Sequence, residues 1–198
     1  DWIGLSIDAS NDGLHAQLGR GTKGDIKNGV SNHLSKMLDI APLLHAYEIG
    51  VKLNTVVTSL NHQDDMTNVV RSIRPHRWKI FQALSIEGEN DVEIEELSIS
   101  KQLFEDYVQR HRESLSNLDD VSIVAEDNNA MLGTYAMIDP LGRVYTNADS
   151  RYKYSSHSAL IIGFLQAWDE VSTGFDRDNF EARDGNWDWN RDHIGGDS

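Results

Sequence analysis

The sequence contains no cysteine among its 198 residues. Without cysteine the chain can form no disulfide, and none of its residues can hold a metal ion or an iron–sulfur cluster through a thiolate. Histidines remain as possible metal ligands, but they are scattered without metal-binding spacing and no HExxH motif occurs. We therefore predict that these residues alone form no metal site.

Positive charge is also scarce. Lys and Arg number 18 against 32 Asp and Glu, which gives a formal net charge of −14 at pH 7. Nucleic acids and anionic membranes bind proteins through positive surface, so we expect neither as a partner. In so acidic a chain, basic side chains within a predicted strand are informative.

Long apolar runs are missing as well. No stretch approaches the roughly 18 apolar residues of a membrane span, and no signal-peptide pattern opens the chain. The hydrophobic fraction of 39% and the charged fraction of 25% are those of an ordinary globular protein. We expect a cytoplasmic protein and leave open a membrane-associating helix upstream of this chain.

A strand–helix–strand unit in residues 51–90 organises the sequence. The two runs VKLNTVV and RWKIFQALSI flank a segment whose apolar residues recur at helical spacing, and such a crossover joins parallel strands. Lys52 and Asn54 are two residues apart, as are Arg77 and Lys79, so each pair projects from one face of its strand. In a barrel this can be the interior face, where cations are costly without an anionic partner. The pattern predicts a polyanion site.

The residues before this unit predict further β/α structure. A strand is predicted at 1–8, and it places Ser6 at its carboxyl end, where parallel α/β folds have their active sites. No cap or initiator methionine precedes this strand, so we expect the chain to be a fragment that begins inside a fold. We predict a short helix at 9–18, a glycine-rich loop with the sequence GRGTKGD, and a helix up to Tyr47 in which Pro42 marks a break or kink.

The residues after this unit predict an α+β extension. An acidic connector at 91–96 precedes a helix that Ser98 or Ser100 can cap. Short strands are predicted at VSIVAED, TYAMID and RVYTN, with a turn at 139–142. The final helix is expected to be buried, and Trp187 and Trp189 are expected to anchor the tail. The apolar residues of this helix are Leu160, Ile161, Phe164, Leu165 and Trp168. The predicted fold class is α/β, with part of a β/α barrel at 1–90 and an α+β extension at 91–198.

Several of these motifs together resemble the viperin family, the radical-SAM nucleotide dehydratases. They are DWIGLSIDAS, LGRG, VKLNTVV, RPHRWKIFQALSIEGEN, EDNNAMLGTYAMID and STGFD. The likeness covers nearly the whole chain, and RWKxFQxLxIEGEN is its most specific part. Two departures are visible: extra residues follow GRG at 22–30, and the CxxxCxxC motif of the family is absent. Because that motif lies upstream of the opening strand in the family, the chain is expected to be the carboxyl-terminal two-thirds of such a protein.

The resemblance implies a fold, an activity and cofactors. Residues 1–90 would belong to a partial TIM-like barrel of radical-SAM type, and residues 91–198 would close over a nucleotide site. The full-length protein would be a lyase that uses S-adenosylmethionine and a [4Fe–4S] cluster whose ligands lie outside this chain. It would convert CTP, or another pyrimidine triphosphate such as UTP, to the antiviral 3′-deoxy-3′,4′-didehydro analogue. The fragment alone is expected to be inactive. Iron–sulfur assembly machinery is an implied partner of the carboxyl-terminal tail.

The resemblance also implies site residues, because positions of the family's motifs match positions here. Ser6 and Arg20 match S-adenosylmethionine contacts, and Tyr135 matches a tyrosine near the ribose that could position the sugar or relay a proton or an electron. The positions that match nucleotide contacts are Lys52, Asn54, Arg77 and Lys79. The positions that match a segment closing over the γ-phosphate, with backbone N–H groups forming an anion nest, are Thr173, Gly174, Phe175, Asp176 and Arg177.

Other interpretations of these residues are open. A single Lys or Arg on a strand is most often a solvated residue or half of a salt bridge. Glu87 and Glu89 could act as acid–base groups, although pairing with Arg and Lys to hold their loop is favoured. The chain as a whole could be a non-enzymatic nucleotide- or partner-binding module. It could also come from a radical-SAM enzyme of cofactor biosynthesis, although the extensions of those enzymes usually carry further cluster cysteines.

Overall fold

A computed structural model describes residues 1–186, apart from the side chain of Glu93. The anchoring role predicted for Trp187 and Trp189 lies outside the described residues. None of the helices in the described part is long and apolar enough to cross a membrane.

Strands and helices alternate in the first half of the described chain. The strands within residues 1–186 are β1 (Trp2–Ser6), β2 (Gly50–Val57), β3 (Arg77–Gln82), β4 (Ser122–Glu126), β5 (Ala136–Ile138), β6 (Arg143–Thr146) and β7 (Lys153–Ser158). The first six α-helices are α1 (Asp12–Gln17), α2 (Lys23–Lys27), α3 (His33–Ala46), α4 (Thr67–Ile73), α5 (Asp91–Leu97) and α6 (Lys101–Ser114). The remaining four are α7 (Asn128–Met131), α8 (Ala159–Ile162), α9 (Phe164–Asp169) and α10 (Arg177–Ala182).

The strands β1 to β4 form one sheet in the order β1-β2-β3-β4. β2 pairs in parallel with β3, as the strand–helix–strand pattern predicted, and β1 also pairs in parallel with β2. The predicted α/β class is therefore confirmed for this region. The spatial order of the four strands follows their order in the sequence, as in a β/α barrel. The TIM-like barrel itself stays a prediction.

One face of this sheet builds the main hydrophobic core. In β2, Val51, Leu53 and Thr55 are fully buried, whereas the residues between them are only half-buried. Val51 and Leu53 pack in one cluster with apolar residues of α3, α4 and α6, among them Val70 and Phe104. The period of two in burial shows that the opposite face of the sheet is not part of this core.

A second, antiparallel sheet has the order β5-β6-β7. β5, the turn at 139–142 and β6 were predicted, whereas β7 was not, because KYSSHS lacks apolar alternation. A small core lies beside this sheet and contains Val144, Ala167 and Val171.

The prediction of one buried helix that contains Leu160, Phe164 and Trp168 is wrong. The chain forms two short helices, α8 and α9, because Gly163 between them has a φ of 86°. This break separates apolar residues that one continuous helix would place on one face. Leu160 and Leu165 are consequently exposed, and Ala167 is the residue that is fully buried.

Three other local predictions need correction. The loop predicted at GRGTKGD, residues 19–25, is partly helical, since Thr22 and Asp25 form a reciprocal capping box that starts α2. Pro42 does not break α3, which continues to Ala46. The acidic connector after Asn90 is helical and forms α5.

The described chain divides into two compact units. One comprises residues 1–83 and 99–125, and the other comprises residues 84–98 and 126–186. The predicted boundary at residue 90 does not coincide with this division, because residues 99–125, which include α6 and most of β4, follow that boundary in sequence and belong to the first unit. The roles assigned to residues 1–90 and 91–198 stay predictions.

Candidate functional site

The polar face of the parallel sheet carries two transverse rows of residues. Lys52 of β2 is in register with Arg77 of β3, and Asn54 is in register with Lys79. Ser6 of β1 is in register with Asn54, which extends the second row to three strands. In-register residues of parallel strands project from the same face. The structure therefore brings together five of the residues predicted for the site.

The rows lie on the face of the sheet rather than at the ends of its strands. Arg77 is the first residue of β3, and Lys52 is the third residue of β2. Arg77 therefore lies at the amino end of its strand, whereas Lys52 lies within its strand. Only Ser6 occupies a carboxyl end.

Two of the three cations on this face are well shielded from solvent, and Lys52 is half-buried. Arg77 is 1% exposed and Lys79 is 7% exposed. The Lys79 ammonium also lies 5.4 Å from the centre of the Phe81 ring, two residues further along the same face. Shielding lowers the local dielectric constant, so an anion at this face would interact with these charges more strongly than at an open surface.

Asn54 adds a neutral group to the rows. Its Oδ1 is buried and accepts no hydrogen bond from the described residues. A buried acceptor of this kind is suited to a donor on a ligand, such as a hydroxyl or an amino group. Gly4 precedes Ser6 by two residues and lies on the same face. A Cβ atom added to Gly4 would lie 3.6 Å from Asn54 Nδ2, so Gly4 leaves room next to the Asn54 side chain.

Arg20 lies in the loop after α1, and the way in which α1 ends explains why a glycine, Gly19, precedes Arg20. Gly19 has a φ of 76°, and Arg20 N donates to His15 O at 2.8 Å, the long bond of a Schellman motif. Arg20 Nε donates to Asp8 Oδ2 at 2.5 Å. Asp8 Oδ1 in turn accepts from Val56 N at 2.8 Å. Asp8 thus holds the Arg20 side chain against the sheet.

A cavity of about 380 Å³ opens beside Arg20. Arg20, His33 and Lys36 contribute basic side chains to its lining, and Asp25 contributes one carboxylate. His33 Nε2 also lies 2.6 Å from Ser6 O, so it connects this cavity to the end of β1. His33 thus contacts Ser6 and lines the same cavity as Arg20, and these are the two residues predicted to contact S-adenosylmethionine. The sequence patterns did not single out this histidine.

Tyr135 lies in the second unit and is hydrogen-bonded to a glutamate that is itself paired with an arginine. Its hydroxyl donates to Glu126 Oε2 at 2.7 Å, and Arg183 Nη1 donates to Glu126 Oε1 at 2.9 Å. Burial, reinforced by the neighbouring Glu126 carboxylate, raises the pKa of the Tyr135 hydroxyl. Neither Glu126 nor Arg183 was predicted as a site residue, although Glu126 belongs to the quoted motif EDNNAMLGTYAMID.

The segment 173–177 does not form the expected anion nest in this structure. The amides of Gly174, Phe175 and Asp176 donate to Val171 O, Ser172 O and Gly133 O, at 3.3, 2.9 and 2.8 Å. The Asp176 carboxylate accepts from Asn179 N and caps α10. A phosphate role for the side chains of this segment stays a prediction.

Lys153 is a further cation next to this segment. Its Nζ lies 3.3 Å from Thr173 Oγ1, and both side chains are exposed. Sequence reasoning missed Lys153 because β7, the strand that carries it, was not predicted.

Glu87 holds its loop, as the favoured interpretation predicted. Both carboxylate oxygens of Glu87 accept from Arg151, with Nε at 2.6 Å from Oε2. The loop is also closed by Asn90, whose Oδ1 accepts from Ile86 N and whose Nδ2 donates to Leu84 O. Among the described residues, no group of three or more histidines and carboxylates could hold a metal ion.

Curated proteins of one kind match this chain over most of its length. A nucleotide dehydratase dependent on S-adenosylmethionine from Flammeovirga pacifica is 35% identical over 96% of the chain and 60% of its own length. A protein of the same description from Lacinutrix mariniflava is 32% identical over 96% of the chain and 37% of its own length. The protein described as RSAD2 from Danio rerio is 31% identical over 96% and 50%, respectively.

The chain thus spans between 37% and 60% of the length of these three relatives. No protein-family model matches the chain. The matched regions nevertheless span 96% of the chain in all three relatives. This chain therefore belongs to the viperin family, whose members carry the name S-adenosylmethionine-dependent nucleotide dehydratase.

Proposed function

We propose that the protein containing this chain dehydrates a pyrimidine nucleoside triphosphate, CTP or UTP, in a reaction that depends on S-adenosylmethionine. The observation that carries the proposal is the placement of Lys52, Arg77 and Lys79 together on one face of the parallel sheet, where Arg77 and Lys79 are buried. The names of the relatives support both the nucleotide and S-adenosylmethionine.

The charges on this face favour a triphosphate. A triphosphate carries about four negative charges, and Lys and Arg make charge-assisted hydrogen bonds to phosphate that are stronger than neutral ones. The net charge of −14 makes most of the protein repulsive to such a ligand. A local group of three cations therefore gives this face a charge opposite to the net charge of the chain.

Polarity changes along the strands in a way that suits a nucleotide. The row of Lys52 and Arg77 is followed by the row of Asn54 and Lys79, and then by Val56 and Phe81, which are also in register. The first rows suit phosphates, and the last row suits the less polar nucleoside. Asn54 Oδ1 lies between them and would accept a hydrogen bond from a ligand hydroxyl or amino group.

S-adenosylmethionine would bind next to Ser6 and Arg20. Arg20 uses Nε for Asp8, so its Nη atoms are the donors that can face a ligand carboxylate. The chain has no cysteine, so its own residues do not fit a [4Fe–4S] cluster, and the ligands of any cluster would lie outside these 198 residues. The 198-residue chain alone is accordingly expected to be inactive.

Calorimetry on the intact protein tests the triphosphate assignment. CTP or UTP should bind more tightly than the nucleoside, and the affinity should fall as salt is added. Replacing Lys52 or Lys79 by Ala should weaken the binding by about 1.5–3 kcal/mol, the range for a hydrogen bond to a charged group.

Lys101→Ala is the matched control for this test, because Lys101 lies in the same unit with a side chain that is 56% exposed. It should leave the affinity unchanged. Equal affinity for cytidine and CTP would remove the triphosphate assignment.

A further inference from the structure

Large apolar side chains of α8, of α9 and of the turn before β6 are exposed to solvent in the second unit. Leu160 is the most exposed of them, at 93%. Each of the others is at least half exposed. Together they form what we call the apolar patch, which consists of Leu141, Leu160, Ile161, Phe164 and Leu165.

The two parts of the apolar patch lie next to each other. Ala159 N, at the start of α8, donates to Gly142 O of the turn at 2.8 Å. A Cβ atom added to Gly142 would lie 3.7 Å from Leu160 Cγ, so the turn that carries Leu141 packs against α8. The patch is therefore one surface and not a set of scattered side chains.

The other apolar residues of α8 and α9 face the inside of the unit. Ile162 and Trp168 pack against the small core that contains Val144 and Ala167. This core leaves the apolar patch uncovered, although the spacing of the same residues in the sequence predicted a buried helix. The sequence thus carries apolar residues for burial that the described part of the unit does not provide.

The apolar patch also lacks charge. Residues 159–168 contain no Asp, Glu, Lys or Arg, in a chain of which 25% is charged. Asp139 in the turn has a side chain that is only 10% exposed, because its carboxylate accepts from Leu141 N and from Arg143 N and Nε, at 2.8–2.9 Å. A contiguous exposed apolar surface of this kind marks an interface.

We propose that the apolar patch is the surface against which residues of the same polypeptide, outside this chain, pack through an apolar face of their own. The three relatives are the reason for this choice, since the chain spans only 37–60% of their length. A large part of such a protein therefore lies outside the 198 residues. Because that part is tethered to the patch, its effective concentration is about millimolar. This inference does not depend on the substrate.

Two other occupants fit these observations less well. An anionic membrane repels a chain with a net charge of −14, and the patch itself has no Lys or Arg to attract lipid head groups. A second copy of the chain carries the same net charge. It would also lose translational and rotational freedom on binding, which a tethered segment has largely lost already.

Photo-crosslinking of the intact protein identifies the occupant. The variant Leu160→p-benzoylphenylalanine is irradiated, and the crosslinked peptides are identified by mass spectrometry. A mixture of ¹⁵N-labelled and unlabelled protein separates crosslinks within one polypeptide from those between two. We expect crosslinks within one polypeptide to residues outside the 198. Val92→p-benzoylphenylalanine is the control, because Val92 is 79% exposed on α5 of the same unit and outside the patch, and it should not give these crosslinks.

Each of the remaining results overturns the proposal. Crosslinks between labelled and unlabelled molecules would show that a second copy covers the patch. Crosslinks to residues 1–83 or 99–125 would show that the chain covers the patch itself. The absence of any protein crosslink from a folded variant would show that the patch is open to solvent.

Thermal unfolding of the intact protein is a second test that needs no crosslinker. Leu160→Ser/Leu165→Ser should lower the apparent midpoint by about 4 °C or more if these side chains are covered, because their burial is lost. At solvent-exposed positions the same substitutions would be nearly neutral. Val92→Ser is the matched control and should change the midpoint little. An unchanged midpoint in the double variant overturns the proposal.

Discussion

Gly174 has no room for a side chain. A Cβ built at this position would lie 2.5 Å from the Cβ of Ala148, closer than real Cβ contacts. The residue therefore serves close packing within the second unit, where the neighbouring Asp176 N donates to Gly133 O at 2.8 Å. This explains why a glycine stands here without any appeal to an anion nest.

Gly174→Ala should destabilise the chain by about 1–3 kcal/mol, the usual cost of overpacking. Denaturant unfolding of the intact protein measures this change. Gly24→Ala is the control, because Gly24 lies in α2 and a Cβ there has only ordinary contact, with Thr22 Oγ1 at 3.8 Å. It should be neutral or stabilise by up to about 1 kcal/mol. Equal effects of the two substitutions would mean that the packing around Gly174 is loose.

At the scale of secondary structure, the start of α6 depends on one serine. The sequence left Ser98 and Ser100 as alternative caps. In the structure Ser100 Oγ accepts from Leu103 N at 3.2 Å, whereas the Ser98 hydroxyl donates backwards to Ile94 O at 2.6 Å. Only Ser100 therefore satisfies an amide at the amino end of α6, the helix that brings Phe104 into the main core.

Ser100→Ala should cost about 1 kcal/mol of unfolding free energy, the typical value of an N-cap. Ser98→Ala is the matched comparison, since it removes the same hydroxyl two residues earlier. Its cost should be clearly smaller, because Ile94 O lies at an exposed helix end. Thermal unfolding of both variants measures the difference, and a larger loss in Ser98→Ala would refute the capping assignment.

For the molecule as a whole, two fully buried histidines link stability to pH. His15 Nε2 lies 3.2 Å from Asp8 N and 3.3 Å from Ala9 N, and His111 Nε2 lies 2.9 Å from Met66 N. A nitrogen that accepts an amide hydrogen must be unprotonated. Burial lowers the pKa of His15, with a further contribution from His33, and burial also lowers the pKa of His111.

The free energy of unfolding should therefore fall as the pH drops below about 6.5, the ordinary histidine pKa, because the unfolded chain then binds protons that the folded chain refuses. Each histidine can contribute at most about 1.4 kcal/mol per pH unit. The stabilisation is fully present above that pH. Urea unfolding at pH 7.5 and at pH 5.5 measures the change.

The double variant His15→Gln/His111→Gln should show a weaker pH dependence, because the glutamine oxygen can accept the amide hydrogens without titrating. His157→Gln, at an exposed position of β7, is the control and should keep the wild-type slope. If the slope survives in the double variant, other groups cause it.

Local patterns were sufficient for the parts of the fold and the site that depend on neighbouring residues. The period of two placed Lys52 with Asn54, and Arg77 with Lys79, on one face, and the structure confirms the parallel pairing that aligns them. Local patterns failed where one residue interrupts a period, as Gly163 does between α8 and α9. They also failed for β7, whose sequence does not alternate.

By itself, the sequence determined the α/β class, the paired residues on the strand faces and membership in the viperin family, because these follow from short spacings and specific motifs. Only the tertiary structure decided which histidines accept backbone amides, that the amides of residues 174–176 are already used, and that Arg183 reaches Glu126 across 57 residues of sequence. Such contacts join residues far apart in the chain, and no local period specifies them. They form because burial requires each polar group to find a partner, wherever the fold brings one within reach.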